Sequence, residues 1–578
     1  MKLDVPFAFL ILFCCGNASA QVYSSNYYGE EARKAQEFVP LSTDDDVARV
    51  NLQDGSISFD YNDIDFTVSD ELSLSFGRTA GLGGPAGFAT WDLNVPYMVG
   101  TYSSNEGWNA GSNDGKRCSS GNFAPKPAGS AVGALSGNNW WRGVQIYMPG
   151  KGSETLLNID DGAPAPQDGN QYYGVTKSHS RVRCLSSIKN GSGEGFVVVT
   201  ASGTKYFFDW MSTQPHYSIS GMVGQYQGLW LSLSKVFLLA TRVEDRHGNY
   251  ITYNYSGAHN SSAKLISISA SDGSQVEIEY DQDRVRFARH EQRSWEYRYA
   301  RIDSRYETLG LSEVINPDQS RWTFSGPIGS LDAHIDGRAA GQFFQTHCAL
   351  PAKILGTGYV GYSAANTRGS IHINHPSGLE SIYDVELSHT GINQAPGYCV
   401  MDTVTRYKST MGVPFAYLHY AIKSKSLAGP GLVRSTWEYS YDQSWSFAGA
   451  ASSSDRSRTN IISPDGTKVV YEFGNVFSTN FGQLLVKNVY QGSQILRQEK
   501  FEYVQESQGQ PFPDRVGEMP HRATNGTAVG SWGNDFWFKN RPLSAKTIVE
   551  SNVTFRTNFS EFDYFARPAR IVKSSTGN

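Results

Sequence analysis

Four cysteines, Cys118, Cys184, Cys348 and Cys399, are the side chains whose chemistry the sequence supports most directly. An even number of thiols in an oxidising compartment predicts up to two disulfides. Of the three connectivities, chain order favours Cys118 with Cys184 and Cys348 with Cys399, and four buried free thiols are the alternative. No C-x2-C pair or neighbouring His spacing marks a structural zinc. A second chemistry is ring stacking. Trp140-Trp141 and Tyr172-Tyr173 are paired aromatics whose exposed rings would lie against sugars, although large β proteins also consume such rings in their cores.

Catalytic signatures are missing from the sequence. His290-Glu291 has no second His in register for H-E-x-x-H, and neither a G-x-S-x-G elbow nor a Walker A loop occurs. The run Gly81-Leu82-Gly83-Gly84-Pro85-Ala86-Gly87 mimics a dinucleotide fingerprint, but Pro85 stands where a phosphate-cradling helix would begin. Asp44-Asp45-Asp46 and Asp160-Asp161-Gly162 offer hard oxygens without the alternating ligands of a calcium loop, and read as solvated turn acids. Glu277 and Glu279 alternate with apolar positions and face outward. The expectation is a chain that is not an enzyme and carries no cofactor and no metal.

The elements that must position these residues are strands. In 578 residues, aromatic side chains make up 13% and charged ones only 18%, with Gly 58 and Pro 23, a mixture of strand formers and turn formers. The net charge of −5 gives no basic surplus to displace counterions from a nucleic acid, so no nucleic-acid partner is expected. Lys2, the apolar run from Val5 to Cys15 and Ala18-Ser19-Ala20 predict a signal peptide over 1–20, with an uncleaved anchor or a buried strand as the alternatives. That run is too short to cross a ~30 Å hydrocarbon layer, and no transmembrane span is expected elsewhere. The chain is therefore expected to be exported, to the periplasm, the cell surface or the medium.

A polar segment, 21–49, leads into an N-terminal β domain, 50–235, whose stretches Cys118 to Asn139 and Gly162 to Asn170 read as long loops. From 236 to 578 a unit recurs at uneven spacing, a turn of Asp-Gly or Pro-Asp-Gly type followed by an alternating strand. The instances are DRHGNYITYNY from Asp245, SDGSQVEIEY from Ser271, NPDQSRWTF from Asn316, HPSGLESIYD from His375 and SPDGTKVVYEF from Ser463. Trp295-Glu296-Tyr297-Arg298-Tyr299 and Trp437-Glu438-Tyr439-Ser440-Tyr441 place aromatics on one face and charges or hydroxyls on the other. The predicted class is all-β, a large antiparallel sheet protein.

The wording of these segments resembles the Rhs/YD-repeat family of exported bacterial β proteins. The similarity runs from about Val50 to Asn578, through VNLQDGSISFDYNDIDF with ELSLSFGRT and GFATWDLNVPYMVG, through TASGTKYFFDW and VFLLATRVEDRHGNYITYNY, to EFDYFARPARIV. The resemblance implies that degenerate YD-type hairpins curl into a partial shell. It departs from the family at Phe562-Asp563, in place of Tyr-Asp, and at Ala566, in place of Gly. HPSGLE echoes a family self-cleavage segment, but it lies mid-chain with His375 in place of the carboxylate, so no protease role is carried over.

Two functions follow as expectations. The first is a non-enzymatic shell or scaffold linked to toxin encapsulation or competition between bacteria, with a second Rhs-type chain or a C-terminal effector as partner. The alternative is a secreted or surface adhesin that binds carbohydrate or cell-wall glycan through Trp140, Trp141, Tyr172 and Tyr173.

Overall fold

The structure, a computed structural model, describes residues 47–108, 115–120, 123, 125, 128–130, 133–135, 143–159, 168–223, 226–301, 309–331, 335–336, 368–394, 397–400, 408–411, 416–446, 454–477, 479–507, 509–518 and 537–577. It is all-β, and among the described residues the one helical turn is the 3-10 turn Ile328–Ser330. The period-two patterning explains this, because alternation buries one face of a strand and leaves the other wet. Gln275–Asp281, QVEIEY and Asp281, buries Val276 and Ile278 and exposes Glu277 and Glu279, as the sequence predicts.

A first sheet of five strands has the spatial order Ala48–Val50, Ile57–Thr67, Ser73–Ala80, Trp91–Leu93, Ala86–Phe88. The second sheet branches at one long strand. Tyr226–Glu244 pairs along one edge with Lys205–Val223, and its other edge is shared by Tyr97–Ser103 and Tyr250–Ser256. From Tyr250–Ser256 an antiparallel ladder runs through successive neighbours, including Arg293–Arg301, Arg368–Asn374 and Ala416–Gly429, to Val553–Phe562 and Pro568–Gly577. In the other direction the ladder runs from Lys205–Val223 through Gly195–Val199, Arg181–Leu185 and Gly174–Val175 to Leu157–Asn158.

There the sheet meets its own far end. The His179 ring stands 6.4 Å from that of Phe565, edge to face, and beside it Asn158 pairs with Glu518 of Arg515–Glu518, a strand whose other partner is Trp537–Lys539. The contact between these two turns is made by rings; among the described residues no ladder joins Pro568–Gly577 to a second strand, so the sheet curls without closing as a barrel. The core is aromatic where the five-stranded sheet lies on the large one. Phe59 packs on Tyr383, Tyr61 on Trp322, Phe88 on Tyr297 and Trp91 on Phe324, with ring centroids 4.5 to 5.2 Å apart.

Two expectations meet a different arrangement. The boundary between 235 and 236 falls inside the strand Tyr226–Glu244, and Ala48–Asn578 forms one compact unit. Within the expected loop Cys118 to Asn139 there is a small hairpin, Ala128–Ser130 against Gly133–Leu135. The polar segment 21–49 and the signal peptide lie outside the described residues up to 46.

Candidate functional site

The recurring turn has one geometry. At Asp245, Ala270, Asn316, His375, Ser463 and Asp563 the first residue accepts a hydrogen bond from the backbone N–H three positions on and donates its own to the carbonyl four positions on. This is a type I turn closed by a left-handed residue, the three-residue hairpin loop with a bulge. The left-handed position is Gly248, Gly273, Gly378 and Gly466 in four cases, and Gln319 (φ 70°) and Ala566 (φ 60°) in the others. Pro317, Pro376 and Pro464 occupy the second position, where a type I turn accepts the fixed φ of proline. A side chain locks each turn. Asp272, Asp318 and Asp465 accept the N–H two residues on, at 2.9 to 3.0 Å, whereas Asp245 and Asp563 accept two N–H groups each. In HPSGLE the His375 imidazole takes that role, accepting the Ser377 N–H through Nδ1 at 3.0 Å.

The Asp245 turn is also tied to the first sheet. Its carboxylate accepts Ser69 Oγ at 2.9 Å and Asn249 Nδ2 at 2.8 Å, while Arg246 pairs with Glu71 at 3.1 Å. Burial opposes its ionisation, but the hydrogen bonds from Asn249, Ser69 and the His247 N–H outweigh that and hold the carboxyl down at about 2.

At the centre of the interface between the sheets lies a buried charge. Arg78, on Ser73–Ala80, forms an ion pair with Asp63, and both side chains are at most 1% exposed. The Tyr297 hydroxyl donates to the second Asp63 oxygen at 3.0 Å. Four rings surround the guanidinium, Phe324 at 4.9 Å, Tyr61 at 5.3 Å, Trp91 at 5.5 Å and Trp322 at 5.6 Å, so cation–π attraction replaces part of the lost hydration. Burial, with the Asp63 charge adding to it, raises the Tyr297 hydroxyl well above its ordinary value, which keeps it a donor. Sequence reasoning missed this cluster, because Arg78 in ELSLSFGRT reads as an ordinary strand cation.

Of the cysteines, Cys118 and Cys184 are bonded to each other. The Glu194 carboxylate fastens the same segment by accepting the N–H groups of Cys118 and Ser119 at 3.0 and 2.9 Å and the Ser119 hydroxyl at 2.6 Å. Arg117 donates to the carbonyls of Trp108, Glu194 and Ser192. Cys348 lies outside the described residues, and of Cys399 only the strand Gly397–Val400 is described. Trp140 and Trp141 also lie outside them. Tyr172 and Tyr173 are half-buried, and the Tyr172 hydroxyl is committed to Asp168 at 2.7 Å. Burial, followed by that hydrogen bond, pushes the Tyr172 hydroxyl up to about 12.

The glycine run at 81–87 enters the strand Ala86–Phe88 rather than a helix, so its backbone lacks the phosphate-binding context. It instead helps to line a cavity of about 230 Å³ with Asp54, Lys235 and His419. His419 Nε2 lies 3.0 Å from the Asp54 carbonyl oxygen, and burial lowers the imidazole's pKa, with the Asp54 charge opposing. A larger groove of about 900 Å³ lies where Asp65–Thr67 meets the hairpin turns at 272–275 and 289–291. The chain matches no family model and no curated protein.

Proposed function

We propose that this chain is an exported, non-enzymatic shell or scaffold of the Rhs/YD-repeat type that surrounds or supports a second polypeptide. The observation that carries this reading is the long antiparallel ladder that curls until the turns at His179 and Phe565, near its two ends, stand with their rings 6.4 Å apart. Six of the sheet's hairpins share one turn geometry, so part of its curvature is distributed over equivalent steps. Toward its C-terminal strands the sheet is a single layer with apolar side chains half-exposed on its faces, surface that an enclosed chain would cover. The disulfide between Cys118 and Cys184 suits an exported protein. The partner is a second chain of the same type or an effector, and the setting is competition between bacteria.

The test is to purify the chain from the envelope and medium of its own host and image it by single-particle microscopy, with mass analysis of whatever accompanies it. A hollow particle with a co-purifying chain supports the reading. A compact particle without a lumen or companion refutes it.

A further inference from the structure

The seam where the curled sheet meets its own far end carries an inference that does not depend on the shell reading. On one side stands the turn 176–180, in which the Thr176 N–H donates to the Ser180 carbonyl and the His179 N–H to the Thr176 carbonyl, with His179 at a left-handed φ of 63°. On the other stands the turn 563–567, which carries Phe565. The His179 ring, half-buried, meets that of Phe565 edge to face at 6.4 Å. Its Nδ1 is buried and, among the described residues, has no hydrogen-bond partner. A neutral ring can keep its proton on Nε2 and leave only a lone pair at Nδ1. An imidazolium must place a charged N–H there, with no acceptor to receive it.

Charge adds to that cost. Arg181 opens the adjoining strand Arg181–Leu185, and Arg567 stands on the facing turn, its guanidinium 5.1 Å from the Phe565 ring centroid. The ring that His179 touches therefore already carries one cation. The two acids at the seam are committed to other donors. Glu154, on Gly152–Thr155, accepts the Ser178 N–H at 3.0 Å and its hydroxyl at 2.6 Å. Asp563 accepts the N–H groups of Phe565 and Arg567 and, at 2.8 Å, the Arg567 guanidinium. Burial first, and then Arg181 and Arg567, lower the imidazole's pKa, with Glu154 and Asp563 opposing. A ring that loses its proton more readily in contact than free favours the contact when neutral. The contact is therefore complete above the free value of about 6.5 and weakens as pH falls below it.

We propose that His179 is an acid-sensitive latch, which holds the seam between the turns 176–180 and 563–567 as a neutral ring and releases it as an imidazolium. The test is hydrogen exchange of the full chain, read by mass on peptides spanning 173–182 and 562–570 at about pH 7.5 and about pH 5.5, with each rate divided by the intrinsic rate at that pH. Both peptides are expected to exchange faster at the lower pH, by up to about tenfold, the limit for one proton bound one unit below the free value. The difference should vanish in His179→Phe, which keeps a ring, and in His179→Asn, which accepts the left-handed backbone. Unchanged protection of the strand Tyr250–Ser256 reports that each variant is folded. The proposal is overturned if the two wild-type peptides exchange alike at both pH values, or if either folded variant keeps the difference.

Discussion

The strands that face the five-stranded sheet and those from Leu432–Asp442 onward use the same turns and the same alternation, yet they are held together differently. Where two sheets meet, Phe59, Trp91, Tyr297 and Tyr383 are sealed from water and even Arg78 is buried. From Leu432 to Gly577 most side chains are half-exposed or exposed, with Tyr439, Ile461, Val470 and Phe473 among the buried ones. Val433 is 86% exposed, Phe555 46% and Ile571 55%. That region is laced across its strands by ion pairs, Arg456 and Arg458 to Glu472, Lys546 to Glu499, and Arg556 to Glu502. The lesson is that alternation fixes which side chains share a face, while the presence of a second layer decides whether that face becomes a core. A single layer relies on backbone ladders and on pairs that are each worth only about 0.2 to 1 kcal/mol.

The contrast is broken most sharply at Arg78. Replacing Arg78 by Ala strands the Asp63 carboxylate in an apolar site and is expected to cost about 3–5 kcal/mol, read as a fall in the denaturant midpoint. A double replacement, Arg78→Met with Asp63→Leu, should recover most of that loss, because no uncompensated charge is left. Failure to recover would mean that the pair itself, and not the absence of burial penalties, holds the two sheets together. Reducing the Cys118–Cys184 bridge, whose ends are 66 residues apart, should cost about 2–4 kcal/mol and be visible as a lower melting temperature in reductant.

Acid should attack the two-layer region at the Asp245 turn. Its carboxyl is lowered to about 2 in the folded chain, so its stabilisation is complete above the free value near 3.9 and is lost as pH falls from there toward 2. The Asp245→Asn variant should therefore unfold less steeply over that window, with tryptophan fluorescence as the readout. Smaller effects belong to the turns. Ala566→Gly and Gln319→Gly relieve a left-handed backbone and should each raise stability by about 1 kcal/mol, while Gly466→Ala should lower it by a similar amount. Smallest of all, Arg556→Ala in the single-layer region should change stability by no more than about 1 kcal/mol, and added salt should shrink even that difference.

What could be read from the sequence was what is local. The hairpin turns were legible because Pro at the second position, Asp at the first or third and Gly at the left-handed position each have a short-range physical reason. The strands were legible from alternation, and the Cys118–Cys184 pair from chain order. The Arg78 cluster was not, because its partners come together only in space, with Asp63 and Tyr297 separated by 234 positions. That a strand runs across 235/236 was not legible for a related reason. A shift in composition marks where loops thin out, whereas the hairpin Lys205–Val223 with Tyr226–Glu244 carries one sheet straight across it.

The branched strand has a consequence for the order in which the molecule can be built. Tyr97–Ser103 pairs on one edge with Gln145–Met148, but its other edge waits for Leu233–Leu239, and the adjoining Ser104 and Ser234 hydroxyls, 2.8 Å apart, are 130 positions apart in sequence. A ribosome adding ~5–20 residues per second needs on the order of ten seconds to deliver that partner. Throughout that interval the second edge of Tyr97–Ser103 stays open, so a holding factor, or delayed release, would protect the nascent chain before its largest sheet can nucleate.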